Sequence, residues 1–143
     1  MTTKSDESPI RNFIRPRIIP LVACLISVGL CLMYAKYRSG MTPWWKAVGG
    51  GIPYVLFWIL LWYSILPEQR FIRRITIGCT LFTCFLEAMQ LWQPEWLVEF
   101  RRTRFGAALL GSTFAWEDIP PYIIGGLVGF VVLLVIVRMT PQS

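Results

Sequence analysis

VGGGIPYVLFWILLWYSIL, Val48 to Leu66, decides the fold: nineteen consecutive residues without one charge. About 20 apolar residues cross the hydrocarbon of a bilayer as a helix. Pro67-Glu68-Gln69-Arg70 closes the run abruptly. Working outward, three further runs have comparable length. They span about Ile18 to Tyr37, Ile72 to Trp92 and Ile119 to Val137. The reading is an all-α polytopic membrane protein, a four-transmembrane-helix bundle. Residues 1–16 are expected as a polar tail, 17–138 as one membrane domain and 139–143 as a short tail. The first run starts late, behind Arg11, Arg15 and Arg17, and shows no small-residue cleavage site. It is read as a retained helix.

Composition agrees. The 143 residues are 55% hydrophobic, with a mean hydropathy of +0.56, well above the usual share of a soluble domain. The net charge of +6 is carried by Lys and Arg at helix ends, where membrane orientation and anionic lipid account for it. Nucleic acid is therefore not an expected partner. Histidine is absent, which removes His-ligated haem and His-containing zinc sites. Cys24, Cys31, Cys79 and Cys84 all lie in apolar runs and form no C-x-x-C pair. They read as small apolar filler. No cofactor and no metal are expected.

Between the third and fourth runs, Gln93 to Asp118 is too apolar for a plain loop. Trp96, Leu97, Phe100 and Phe105 are interleaved with Arg101, Arg102 and Arg104. A short interfacial helix or a shallow re-entrant turn fits. Placing the N-terminus inside puts Lys4, Arg11, Arg15, Arg17, Arg70, Arg73, Arg74 and Arg138 on the inner side. Lys36, Arg38, Lys46, Arg101, Arg102 and Arg104 then lie outside, eight cations against six. That bias puts both termini in the cytoplasm. Trp44, Trp45, Trp92, Trp96 and Trp116 all fall at the outer level, as an aromatic belt does.

One acid interrupts the hydrocarbon. Glu87 sits five residues before the end of the third run, about 7 Å below it at the helical rise. An ionisable group there is a functional-site hypothesis by default. Gln90 shares its helix face. Asp118 opens the fourth run at the same level, suited to capping that helix, and Tyr122 lies one turn on. Arg101, Arg102 and Arg104 lie on the connecting segment, within reach of these acids. Glu87, Gln90, Arg101, Arg104, Asp118 and Tyr122 form the candidate polar or ligand site. Either the arginines hold the two acids, or they bind an anionic headgroup or phosphate. Gly125-x-x-x-Gly129 is a helix-packing face, internal or between subunits. Gly49 to Gly51 allow a close backbone approach, and Gly106 and Gly111 mark turns.

Several of these residues carry a resemblance. Glu87-x-x-Gln90, Pro94, Arg101-x-Thr103-x-x-Gly106 and Leu110-Gly-Ser-Thr-Phe-x-x-x-Asp118-x-x-x-Tyr122-x-x-Gly125, with the Gly49 to Leu61 segment, resemble a small four-helix bacterial membrane family of unknown function, DUF2809. The likeness spans roughly residues 45 to 130. The order acid, Gln, Arg, Asp, Gly is also similar, more distantly, to VanZ-like proteins, whose founding member is linked to glycopeptide resistance. The resemblance implies a bacterial cytoplasmic membrane, or another internal bacterial membrane, and cell-envelope biology.

The expected function is that of an uncharacterised membrane protein whose polar site handles envelope lipid or glycolipid. The alternative is a structural or accessory subunit of a larger membrane complex. Partners would be membrane lipids, including an anionic headgroup, and a membrane protein or a second copy. No Ser-His pair, H-E-x-x-H or G-x-S-x-G occurs, so no catalytic residue is assigned and an enzyme is not expected.

Overall fold

The computed structural model describes residues 7–110 and 116–139, with the side chains of 7–15, 43, 44 and 47 outside the description. The turn glycine Gly111 and the 111–115 part of the resemblance motif, as well as the outermost residues of both tails, lie outside the described residues. So does the side chain of Trp44.

The described chain is helical. Helix α1 runs Glu7–Tyr37, α2 Pro43–Ile65, α3 Ile72–Met89, α4 Glu95–Arg102, α5 Arg104–Leu110 and α6 Ile119–Met139. Three segments are long and apolar enough to cross a membrane: Pro16–Gly40, Val48–Ile65 and Trp116–Met139. The run expected as a span from Ile72 to Trp92 forms helix α3 but is not among these three segments: its 18 residues include Arg73, Arg74 and Glu87 as well as three threonines. It also stops at Met89, three residues short of the expected end. Helix α1 begins at Glu7, inside the stretch expected as polar tail.

Helix α2 is the centre of the bundle. It packs on α1, α6 and α3, and α3 packs on α6. Residues Val55, Ile59, Leu60 and Tyr63 of α2 meet Ile72, Ile75 and Cys79 of α3. Leu133 and Ile136 of α6 and Cys24 of α1 complete this core. The four cysteines are free thiols. The outward faces stay apolar and bare: Leu25, Leu32, Leu81, Phe85, Leu127 and Val131 are all exposed. Helices that bury one apolar face and present another outward are what a lipid solvent permits.

Glycines set the seams. A Cβ on Gly125 would lie 3.1 Å from Ile52 Cα, and one on Gly129 would lie 2.5 Å from Ile59 Cδ1. Both face α2. One on Gly126 would collide with the Thr80 hydroxyl of α3. The Gly125-x-x-x-Gly129 face is thus filled by the chain's own α2, and Gly126 points to α3. Where hydrocarbon surrounds the helices, close van der Waals approach is the main source of association.

The segment between α3 and α6 holds two short helices. Thr103 ends α4 in extended conformation and starts α5. Its hydroxyl accepts from the Gly106 N–H at 3.0 Å and donates to the Phe100 carbonyl at 2.7 Å. That is N-cap geometry. A side chain at Gly106 would strike the Phe100 carbonyl. The Thr103-x-x-Gly106 spacing is therefore the corner between the two helices.

Candidate functional site

Glu87 lies on the inner face of α3, 2% exposed. The face begins four residues after the start of the helix. Thr76, Thr80, Thr83 and Glu87 follow at intervals of four, three and four, which stack on one side of a helix. Thr80 donates to the Thr76 carbonyl at 2.8 Å and Thr83 to the Thr80 carbonyl at 2.8 Å. The Thr80 and Thr83 hydroxyls thus bond within their own helix, while the buried Thr76 hydroxyl has no partner among the described residues.

Two side chains converge on one carboxylate oxygen. Gln90 Nε2 donates to Glu87 Oε2 at 2.9 Å. Tyr122 donates its hydroxyl to the same Oε2 at 3.0 Å. Tyr122 comes from the first turns of α6, and Gly51 of α2 lets that turn come close. A Cβ there would sit 2.8 Å from Pro121 and 3.2 Å from the Tyr122 ring. Asp118 is half-buried at the foot of α6, inside a 3-10 turn, Trp116–Asp118. It stands within electrostatic reach of Glu87, Arg38 and Glu117. Glu87, Gln90, Asp118 and Tyr122 are therefore gathered at one end of the α3–α6 seam.

The arginines divide. Arg101 is buried, at 8% exposure, because it follows the buried Leu97 by four on the same face of α4. Its guanidinium does not close on a carboxylate. It donates to the Met89 carbonyl at 3.0 Å and to the Trp92 carbonyl at 3.4 Å. Met89 is the last residue of α3 and Trp92 lies in the turn that follows it, so the guanidinium sits at the C-terminal end of the helix, where a cation complements the dipole. Arg102 and Arg104 are exposed. The expected arginine clamp on Glu87 and Asp118 is replaced by a single arginine capping the helix that carries Glu87. A planar fork reaches two carbonyls at once, which explains this preference.

Two polar atoms at this end have no hydrogen-bond partner: Gln90 Oε1 and Arg101 Nε. Both are fully buried, and Gln90 is only 5% exposed. Tyr54 of α2, not among the residues singled out from the sequence, ties α5 to α2. Its hydroxyl donates to the Leu109 carbonyl at the end of α5, at 2.6 Å. No spacing signal links residues 55 apart in sequence. Among the described residues, no group of three or more acid or thiol side chains is placed to hold a metal.

Trp45, Trp92, Trp96 and Trp116 are all exposed at this same end. Trp92 and Trp96 meet edge to face at 6.0 Å.

A family model described as "Protein of unknown function (DUF2809)" matches residues 41–126. No solved structure matches the chain. The family match takes in α2, α3, the two short helices and the start of α6, more than half of the sequence, and the chain belongs to that family.

Proposed function

We propose that this DUF2809 protein is a four-span membrane protein of the bacterial cytoplasmic membrane whose α3–α6 junction receives the headgroup of a membrane lipid. Helix α3 is the fourth span. Its charged residues sit at its ends, Arg73 and Arg74 at the start and Glu87 near the finish, as snorkelling or internally paired charges do. Both termini face the cytoplasm. Arg70, Arg73, Arg74 and Arg138 are exposed at the end opposite the polar junction, in keeping with the positive-inside bias. Helices α4 and α5 lie along the outer interface as a roof, with Trp96, Phe100 and Phe105 exposed to lipid.

The observation that carries this reading is the pair of unpartnered buried atoms at the C-terminal end of α3, Gln90 Oε1 and Arg101 Nε. A polar atom buried without a partner costs about 1–3 kcal/mol. A bound polar group at the junction removes that cost. The test is lipid-dependent thermal stability of the purified chain in mild detergent. Wild type is expected to gain stability from lipid extracts, and Arg101→Ala to lose most of the gain. Glu87→Gln is expected to fold but also to lose it, because the new amide turns to satisfy Gln90 Oε1. An unchanged lipid response in both variants, with normal expression, would end the proposal.

A second reading, an accessory subunit of a larger membrane complex, is favoured by Gly29 of α1 and Gly78 of α3. Both lie on open helix faces with nothing within 4 Å of a Cβ placed there. These faces replace the Gly125 face as the contact for a partner helix. Extraction in gentle detergent decides: a lone species of 16.5 kDa plus its micelle speaks against the complex.

A further inference from the structure

We infer that the group bound at the α3–α6 junction is a hydroxyl of an uncharged polyol or sugar headgroup, not a phosphate; this rests on the headgroup reading above. The inference follows from what the two unpartnered atoms ask for. Gln90 Oε1 is an acceptor, since Nε2 of the same amide is spent on Glu87. It needs a proton from the ligand. Arg101 Nε is a donor and needs a lone pair. The hydroxyl groups of a polyol supply both kinds of partner. An ionised phosphate oxygen supplies lone pairs only, and leaves Gln90 Oε1 unanswered.

The two atoms lie at the same end of α3, Gln90 as its C-terminal cap and Arg101 on the following helix α4. The Arg101 guanidinium is fixed on the carbonyls of Met89 and Trp92, which bracket Gln90 in the chain. Both side chains are at least nine-tenths buried, so neither atom is open to bulk water.

The charge around the junction points the same way. Glu87 is hydrogen-bonded to Gln90, and Asp118 stands in the field of Glu87 and Glu117. The cation that acts on Asp118 is Arg38, while Arg101 is held on the Met89 and Trp92 carbonyls. Arg102 and Arg104 are exposed elsewhere on the roof. A dianionic or monoanionic headgroup would enter a site whose acids outnumber its cations, and like charges repel more strongly away from water. A neutral polyol meets no such penalty. The anionic headgroup expected from the arginine cluster is therefore displaced by a neutral one, since only one of the three arginines reaches the junction.

The experiment is a melting-temperature series on the full chain in detergent. The probes are a monoglucosyl diacylglycerol, a phosphatidic acid with the same acyl chains, and free glucose. The glucosyl lipid at saturating excess is expected to raise the midpoint by about 5 °C, with little effect from phosphatidic acid or free glucose. Gln90→Met, which removes the acceptor while keeping length, is expected to abolish the shift. Arg101→Lys, which keeps the charge but loses Nε, is the second variant, and each is compared with its own lipid-free midpoint. A shift from phosphatidic acid alone, lost in Arg101→Lys, overturns the hydroxyl assignment and leaves the headgroup reading standing. A full shift from free glucose keeps the hydroxyl assignment and overturns the lipid source. No shift from any probe means that ordered water alone fills the junction, and overturns both.

Discussion

Gly125→Leu is expected to leave no folded protein extractable from membranes, and Gly125→Ala to be markedly less stable than wild type in detergent. The reason is what faces the new atom. A Cβ at Gly125 lies 3.1 Å from Ile52 Cα, 3.2 Å from the Ile52 carbonyl oxygen and 3.2 Å from Val55 Cβ. Two of these are backbone atoms of the central helix, which cannot rotate aside. Forcing extra volume into a packed seam costs about 1–3 kcal/mol for a small addition, and leucine adds much more. Gly126 gives the control. There the obstacle is a side chain, the Thr80 hydroxyl. Gly126→Ala is expected to be destabilising alone and largely restored by Thr80→Ala, a coupling that a double-mutant cycle measures. No side-chain replacement at Ile52 is expected to rescue Gly125→Ala. Unfolding curves in mixed micelles decide. Wild-type stability of Gly125→Ala would show that α2 and α6 do not meet as closely as 125 and 52 require.

The helices were legible because hydrocarbon imposes a length and forbids charges. Val48 to Leu66 could be little else, and α2 ends at Ile65. The α3 boundary was less legible. The apolar pattern continues through Leu91 and Trp92, but the backbone tightens after Met89. The Gln90, Leu91 and Trp92 N–H groups reach back only three residues. Pro94 forces that tightening two residues downstream, since the chain before a proline is pushed out of helical conformation. Helix α1 begins ahead of its membrane-spanning part, which starts at Pro16. Residues 7 to 15 are too polar for the apolar count to register, yet polar residues form helix readily when they extend one already nucleated.

At the junction, Glu87 and Gln90 were legible as a pair because they share one helix. Tyr122 was legible only as a neighbour of Asp118. That its hydroxyl crosses to Glu87 depends on Gly51, on a third helix, letting the first turn of α6 settle. Sequence shows that Gly51 is small, and not which helix takes the room. The arginines were the hardest. Arg101, Arg102 and Arg104 look alike as letters. Only the phase of α4, fixed by the buried Leu97 four residues earlier, turns Arg101 inward. In a helix over Glu95–Arg102, the period of 3.6 places Arg101 on the same buried face as Leu97.

The same geometry makes Glu87 the most sensitive polar position in the chain. Glu87→Leu preserves apolar bulk yet leaves the Gln90 amide and the Tyr122 hydroxyl without their shared acceptor. Each stranded buried donor costs about 1–3 kcal/mol, and lipid around the helices gives neither a replacement. A loss of about 2–6 kcal/mol is expected. Glu87→Gln keeps an amide oxygen where Oε2 stood, so both donors stay satisfied, and it is expected to stay within about 1 kcal/mol of wild type. Tyr122→Phe in the Glu87→Leu background removes one of the stranded donors. The double variant is therefore expected to be more stable than the sum of the two single losses. That sign separates a stranded-donor effect from simple loss of packing, which would add. Strict additivity of Glu87→Leu and Tyr122→Phe, measured by chemical unfolding in micelles, would mean that the Tyr122–Glu87 bond does not hold α6 to α3.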